Sequence, residues 1–106
     1  MAWVVLIVPA ALPELHALPE DMQAKFQRLV ALIESRGVEH LREPYVKHLD
    51  GKLWELRMSG RDGIARAIYV TASGRRVVVL RAFAKKSEKT PPRELEIARQ
   101  RAKEVK

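Results

Sequence analysis

The stretch KLWELRMSGRDGIARAIYVTASGRRVVVLRAF, residues 52–83, decides the fold. It holds three runs of strand-forming residues, at about 52–58, 64–71 and 76–83. Ser59-Gly60-Arg61-Asp62-Gly63 and Thr71-Ala72-Ser73-Gly74 separate them. Such short Gly-containing connections return a strand beside its predecessor, so the runs form an antiparallel meander. Alternate residues of a strand point to opposite faces. Trp54, Leu56 and Met58 share one face with Ala65, Ala67, Tyr69, Val78, Leu80 and Ala82. That face is apolar and is expected beneath the helices. The other carries Glu55, Arg57, Arg66, Arg81 and Phe83 and is expected to be open.

Working outward, Trp3 to Val8 reads as a short apolar strand covered on both faces, and residues 9–18, with Pro9 and Pro13, as a short helix or turn. Met22, Phe26, Leu29, Val30 and Ile33 fall on one helical stripe, predicting an amphipathic helix over 19–36 that Gly37 ends. Residues 38–51 read as a connection closing in a turn at Asp50-Gly51. Thr90 before Pro91-Pro92 reads as a capping hydroxyl at the start of a last helix, with Leu95, Ala98, Ala102 and Val105 on its apolar stripe. The predicted class is α+β: an N-terminal strand and helices, a three-stranded antiparallel meander and a C-terminal helix, with residues 1–106 as one domain.

Composition narrows the function. The chain has 106 residues, 20 Lys+Arg against 13 Asp+Glu, a net charge of +7 and no cysteine. Disulfides, thiolate metal sites and a Cys nucleophile are excluded, and a basic surface suits a polyanion such as RNA. The apolar run at Trp3 is too short to span a membrane and has no preceding cation to mark a secretory signal, so a cytoplasmic location is expected. His16, His40 and His48 share no metal spacing, and the acidic residues do not cluster as ligands, so neither metal nor cofactor is expected.

Arginine forks bind phosphate oxygens, and a neighbouring ring stacks an unpaired base. The face holding Arg57, Arg66, Arg81 and Phe83 therefore suits RNA. The alternative is a wet sheet face with Glu55 in a cross-strand ion pair to Arg57 or Arg66. Lys85, Lys86 and Lys89 follow directly, before Thr90, and can fold over the same face beside a helix N-terminus.

KLWELR (52–57), the arginine of IARAIY (64–69) and VVVLRAFAKKSEKTPPRELEIA (77–98) resemble the phage-derived HigB branch of the RelE toxin superfamily. The likeness covers about residues 45–104 and is most specific in its second half. It implies two N-terminal helices, a twisted antiparallel sheet and a C-terminal helix. It also implies a ribosome-dependent endoribonuclease that cuts mRNA without metal, through attack of a ribose 2′-hydroxyl on the adjacent phosphate. The resemblance makes Arg57, Arg66, Lys85 and Lys86 the catalytic cations. Glu55, Arg81, Phe83, Lys89 and Thr90 would contact RNA. A cognate antitoxin, in this branch usually a small helix-turn-helix protein, is the implied partner beside mRNA and the ribosome.

One departure stands out. RelE ends in a Tyr and some HigB relatives in a His that assist proton transfer, and this chain has neither beyond Tyr69. A lysine of lowered pKa among cations, or positioning and charge stabilisation alone, would have to serve. Two other readings of the same fold stay open: a module that grips RNA or ribosome without cutting, and a ParE-like gyrase poison.

Overall fold

The computed structural model describes residues 2–85 and 89–106. Five strands form one sheet: β1 (Val4–Ile7), β2 (Val46–Asp50), β3 (Leu53–Gly60), β4 (Gly63–Ala72) and β5 (Arg76–Lys85). Three helices accompany it: α1 (Leu12–His16), α2 (Glu20–Arg36) and α3 (Pro92–Ala102). The strand order is β1-β5-β4-β3-β2, with β1 parallel to β5 and every other pair antiparallel. The α+β class and the meander β3-β4-β5 match the sequence reading.

The helix α2 forms where the stripe predicts. Met22, Phe26, Leu29 and Ile33 are buried, and the Gly37 N–H closes the helix on the Ile33 carbonyl at 2.8 Å. Gly37 has φ +90°, a conformation a side chain resists. The stripe packs on a core made of Leu56, Met58, Ala65, Ala67, Tyr69, Val77, Val79 and Ala82.

Four expectations are corrected. The N-terminal strand is not covered on both faces: β1 is an edge strand, with Val5 and Ile7 packed on the core and Val4 and Leu6 exposed. The connection 38–51 contains a strand, β2, which pairs with β3 from Val46↔Leu56 to Asp50↔Leu53. Edge strands need no apolar alternation, because one flank and most side chains remain in water.

The third correction concerns Leu80. The register of β4 on β5 slips between Ile68↔Arg81 and Tyr69↔Val79, so one extra residue enters β5 at Leu80. A bulge of this kind reverses the alternation beyond it. Val77 and Val79 therefore join the α2 core, while Val78 and Leu80 face the other way with Ile68, Val70 and Leu53.

The fourth correction follows from it. The second face is not open, because α3 covers it through Ala98, with Leu95, Ala102 and Val105 packed alongside. Both faces of the sheet carry helices, and the meander's inner strands are correspondingly buried.

Candidate nucleic-acid interface

The sheet register sets the predicted site residues in two rows. Across the meander, Glu55 pairs with Ile68 and Ile68 with Arg81. Two residues along each strand, Arg57 pairs with Arg66 and Arg66 with Phe83. All lie on the face that α3 covers. The helix buries Glu55, Ile68 and Arg66 and leaves Arg57, Phe83 and Arg81 partly exposed at its margin.

Glu55 and Arg66 are completely buried. One Glu55 oxygen accepts from the Thr90 hydroxyl at 2.7 Å, and the other accepts from Arg57 Nε at 3.1 Å. Arg66 Nε lies 3.8 Å from the Glu55 carboxylate, and Arg66 Nη1 donates to the Thr90 hydroxyl at 3.3 Å. Thr90 was expected to cap α3. Instead Pro91 occupies the N-cap with no side-chain bond, and the Thr90 hydroxyl serves the carboxylate and guanidinium beneath it. A buried ion pair of this kind is tolerable only when its remaining polar atoms are bonded, which Thr90 helps to achieve.

Arg57 differs from Arg66. Its side chain keeps 24 % of its surface exposed, against 1 % for Arg66. Arg57 can touch a ligand at the surface, and Arg66 meets one only through its neighbours. Phe83 is half-buried beside them, packed at the edge of the α3 core.

Arg81 is absorbed into a clasp that sequence reading did not find. Its Nε and Nη2 donate to the two oxygens of Glu94 on α3, at 2.8 and 3.1 Å. Its Nη1 donates to Glu14 on α1, which also accepts twice from Arg101 at 2.9 Å. The same carboxylate accepts the Ala82 N–H at 3.2 Å, and Arg101 donates to the Leu80 carbonyl at 2.8 Å. Both backbone groups lie on the part of β5 beyond its pairing with β1, which stops at Ile7↔Val79. Glu14 and Arg101 thus satisfy an edge that a longer first strand would have covered. Burial pushes the Glu14 carboxyl up, but bonds from Arg101, Ala82 and Arg81 outweigh this and hold it below the usual carboxylate value. The Glu94 bond leads in raising Arg81 further, against some desolvation. A sequence signal for the clasp scarcely exists, since Glu14 and Arg101 are 87 residues apart.

Lys85 ends β5, its backbone pairing with Ile64. Lys86, expected beside it, lies outside the described residues. Lys89 is exposed. The histidines stay apart: His48 packs edge-on against Trp54 at 4.8 Å and contacts the Gly51 carbonyl at 2.8 Å, and His16 and His40 are exposed. Among the described residues, no three His, Asp or Glu side chains converge as metal ligands would. No helix of the described residues is long and apolar enough to cross a membrane.

Chemically, the margin of α3 presents a half-buried guanidinium held by a carboxylate and, two strands away across Arg66, a half-buried ring at the edge of the α3 core. Residues 13–103 match the model of the phage derived protein Gp49-like family. No curated protein sequence matches the chain. In the crystal structure of the archaeal RelE–RelB complex from Pyrococcus horikoshii OT3, one chain superposes with a TM-score of 0.63 at 22 % identity, over 79 % of this chain and 96 % of that one. A double mutant of the E. coli toxin RelE in the free state superposes with a TM-score of 0.57 at 16 % identity, over the full length of both. At these identities the likeness establishes a shared RelE fold.

Proposed function

Because this chain belongs to the phage-derived Gp49-like family, a family of RelE/HigB-type toxins, we propose that it is a toxin that cleaves messenger RNA on the ribosome. The observation that carries the reading is the row Arg57–Arg66–Phe83, which leaves one guanidinium and one ring accessible at the α3 margin. The guanidinium fits the non-bridging oxygens of a phosphodiester, and the ring suits the base beside it.

The reaction is an internal transfer. The ribose 2′-oxygen forms a bond to the adjacent phosphorus, and the bond from phosphorus to the 5′-oxygen of the next nucleotide breaks. The products are a 2′,3′-cyclic phosphate and a 5′-hydroxyl. The 2′-hydroxyl loses its proton and the departing oxygen gains one, so no co-reactant is consumed. Arg57, with Lys85 and Lys86, stabilises the charge that builds on the phosphoryl oxygens. Arg66 acts as a positioning residue, fixing Glu55 and through it the Arg57 fork. Glu55 and Thr90 act in the same indirect way, and Arg81 works through the clasp that seats α3. Lys89 adds general attraction for the RNA backbone.

The archaeal RelE neighbour is in complex with RelB, which supports an antitoxin partner here too, in this branch a helix-turn-helix protein. A toxin of this kind acts in the cytoplasm, where ribosomes are.

A second reading has one observation in its favour. No Tyr or His follows Tyr69, so a module that grips RNA without cutting it would need nothing more than is present. One experiment separates the two: single-turnover incubation with programmed ribosomes, mapping mRNA 5′ ends. Cleavage by the wild type is expected, with Arg57→Ala slower by about 10²–10³, as for loss of one donor to a developing oxyanion. Arg75→Ala, at the β4–β5 turn, should match wild type. Intact mRNA with the wild-type protein would leave the binding module, and equal rates for the two variants would remove Arg57 from the site.

A further inference from the structure

Beyond the outer side of β3, a groove of about 420 Å³ lies between α2 and the segment leading into β2. Its walls include Lys25 and Arg28 from α2, Arg42 and Tyr45 from the connection, and Arg57 from β3. Glu43 is the one acidic residue among its lining residues. The Arg28 and Arg42 side chains are exposed and make no hydrogen bond or ion pair among the described residues, as is also true of Arg36 and Arg93, whereas Arg57, Arg81, Arg99 and Arg101 are all bonded to carboxylates. Tyr45 is 54 % exposed, more than any other large hydrophobic residue described. Neither the fold nor the α3 margin accounts for these features. Unneutralised arginines cost self-repulsion, and an exposed ring costs hydration; both are relieved by an anionic ligand with flat apolar faces.

We propose that this groove is a second RNA subsite, holding the unpaired strand that flanks the phosphodiester gripped at Arg57. The inference rests on the RNA reading above and extends it. Arg57 is common to both places, so a strand leaving the α3 margin around β3 enters the groove directly. Arg28 and Arg42 would take successive phosphates, and a base would stack on Tyr45. Lys25, tied to the Ser59 hydroxyl at 2.9 Å, holds the far wall. An acidic peptide would satisfy the charges but would leave the Tyr45 face unused.

The test is binding of a fluorescent 2′-O-methyl RNA dodecamer, which cannot be cut because its 2′-oxygens are blocked. Each phosphate contact to a single strand contributes about 0.7 to the salt slope, so Arg28→Ala with Arg42→Ala should lower the slope by about 1.4, or about 25-fold in affinity at 0.1 M salt. Tyr45→Ala should weaken binding by about 5- to 150-fold, and Tyr45→Phe should retain wild-type affinity. Lys103→Ala with Lys106→Ala, the same charge change at the far end of α3, should leave the affinity within about twofold once general attraction is screened.

Equal losses from the two double variants, an unaltered affinity for Tyr45→Ala, or no binding by the wild type would each overturn the proposal. So would groove variants that keep the RNA and lose the antitoxin, which would assign the groove to the protein partner. A wild type that binds in the expected way yet leaves mRNA intact on ribosomes retires the cleavage reading and leaves the groove standing.

Discussion

Replacing Glu55 by Ala should cost far more than a surface ion pair would suggest. The Glu55 side chain has no exposed surface and that of Arg66 has 1 %. Water therefore cannot replace the lost carboxylate, and the Arg66 charge remains in the interior without it. Breaking a buried pair from one side typically costs about 3–5 kcal/mol. Domains of this size are stable by roughly 5–15 kcal/mol in total, so the loss is a large share of the whole. At about 4–8 °C per kcal/mol, the melting temperature should fall by roughly 12–40 °C. The assay is urea denaturation followed by far-UV circular dichroism. Glu55→Leu combined with Arg66→Met removes both charges and keeps the volume, and such exchanges are often neutral or stabilising by about 1–4 kcal/mol. The double variant should therefore recover most of the single variant's loss. A single-variant cost under about 1 kcal/mol, the range of exposed pairs, would refute the buried-pair argument. So would a double variant no more stable than Glu55→Ala, because the damage would then lie in shape and not in charge.

Two further outcomes follow from geometry. Glu14 titrates below the usual carboxylate value when folded, so its contribution is present at neutral pH and is lost as the pH falls below about 4. The urea midpoint should drop through that range, and Glu14→Gln should be less stable at neutral pH with a shallower acid fall; an identical acid profile would remove the clasp from the explanation. Gly60 sits where an added Cβ would lie 2.7 Å from Asp21 Oδ2 and 2.8 Å from Met22 Cγ. Gly60→Ala should cost about 1–3 kcal/mol as overpacking does, read as a lower melting temperature, and an unchanged melt would mean that the start of α2 yields freely.

Local patterns were legible because their causes are local. The 3.6-residue stripe of Met22, Phe26, Leu29, Val30 and Ile33 depends only on helix geometry; four of the five are buried, and Val30 is partly buried against the same core. The meander follows from strand runs and short turns, and the pairs Arg57↔Arg66 and Arg66↔Phe83 follow from the meander. The family likeness rests on the same strings, and residues 13–103 match the family. The strand β2 was hidden for the opposite reason. Val46-Lys47-His48-Leu49-Asp50 has no apolar alternation, and it is a strand because β3 offers an edge to pair with.

The amino-acid sequence by itself determined the elements other than β2, their order and which charged residues travel together on β3 and β4. Tertiary structure alone decided what covers them. Alternation tells which side chains share a face, but it carries no information on whether helix or water lies above, and a single bulge at Leu80 reverses its phase. Hence Arg57 and Arg66, cross-strand partners that the sequence does not tell apart, part company: α3 and the Thr90 hydroxyl close over Arg66 and leave Arg57 at the margin. The clasp of Glu14, Arg81, Glu94 and Arg101 was equally out of reach. It ties α1 to β5 and α3, with Glu14 67 residues from Arg81 and 87 from Arg101, and only the folded arrangement brings their charges within bonding distance.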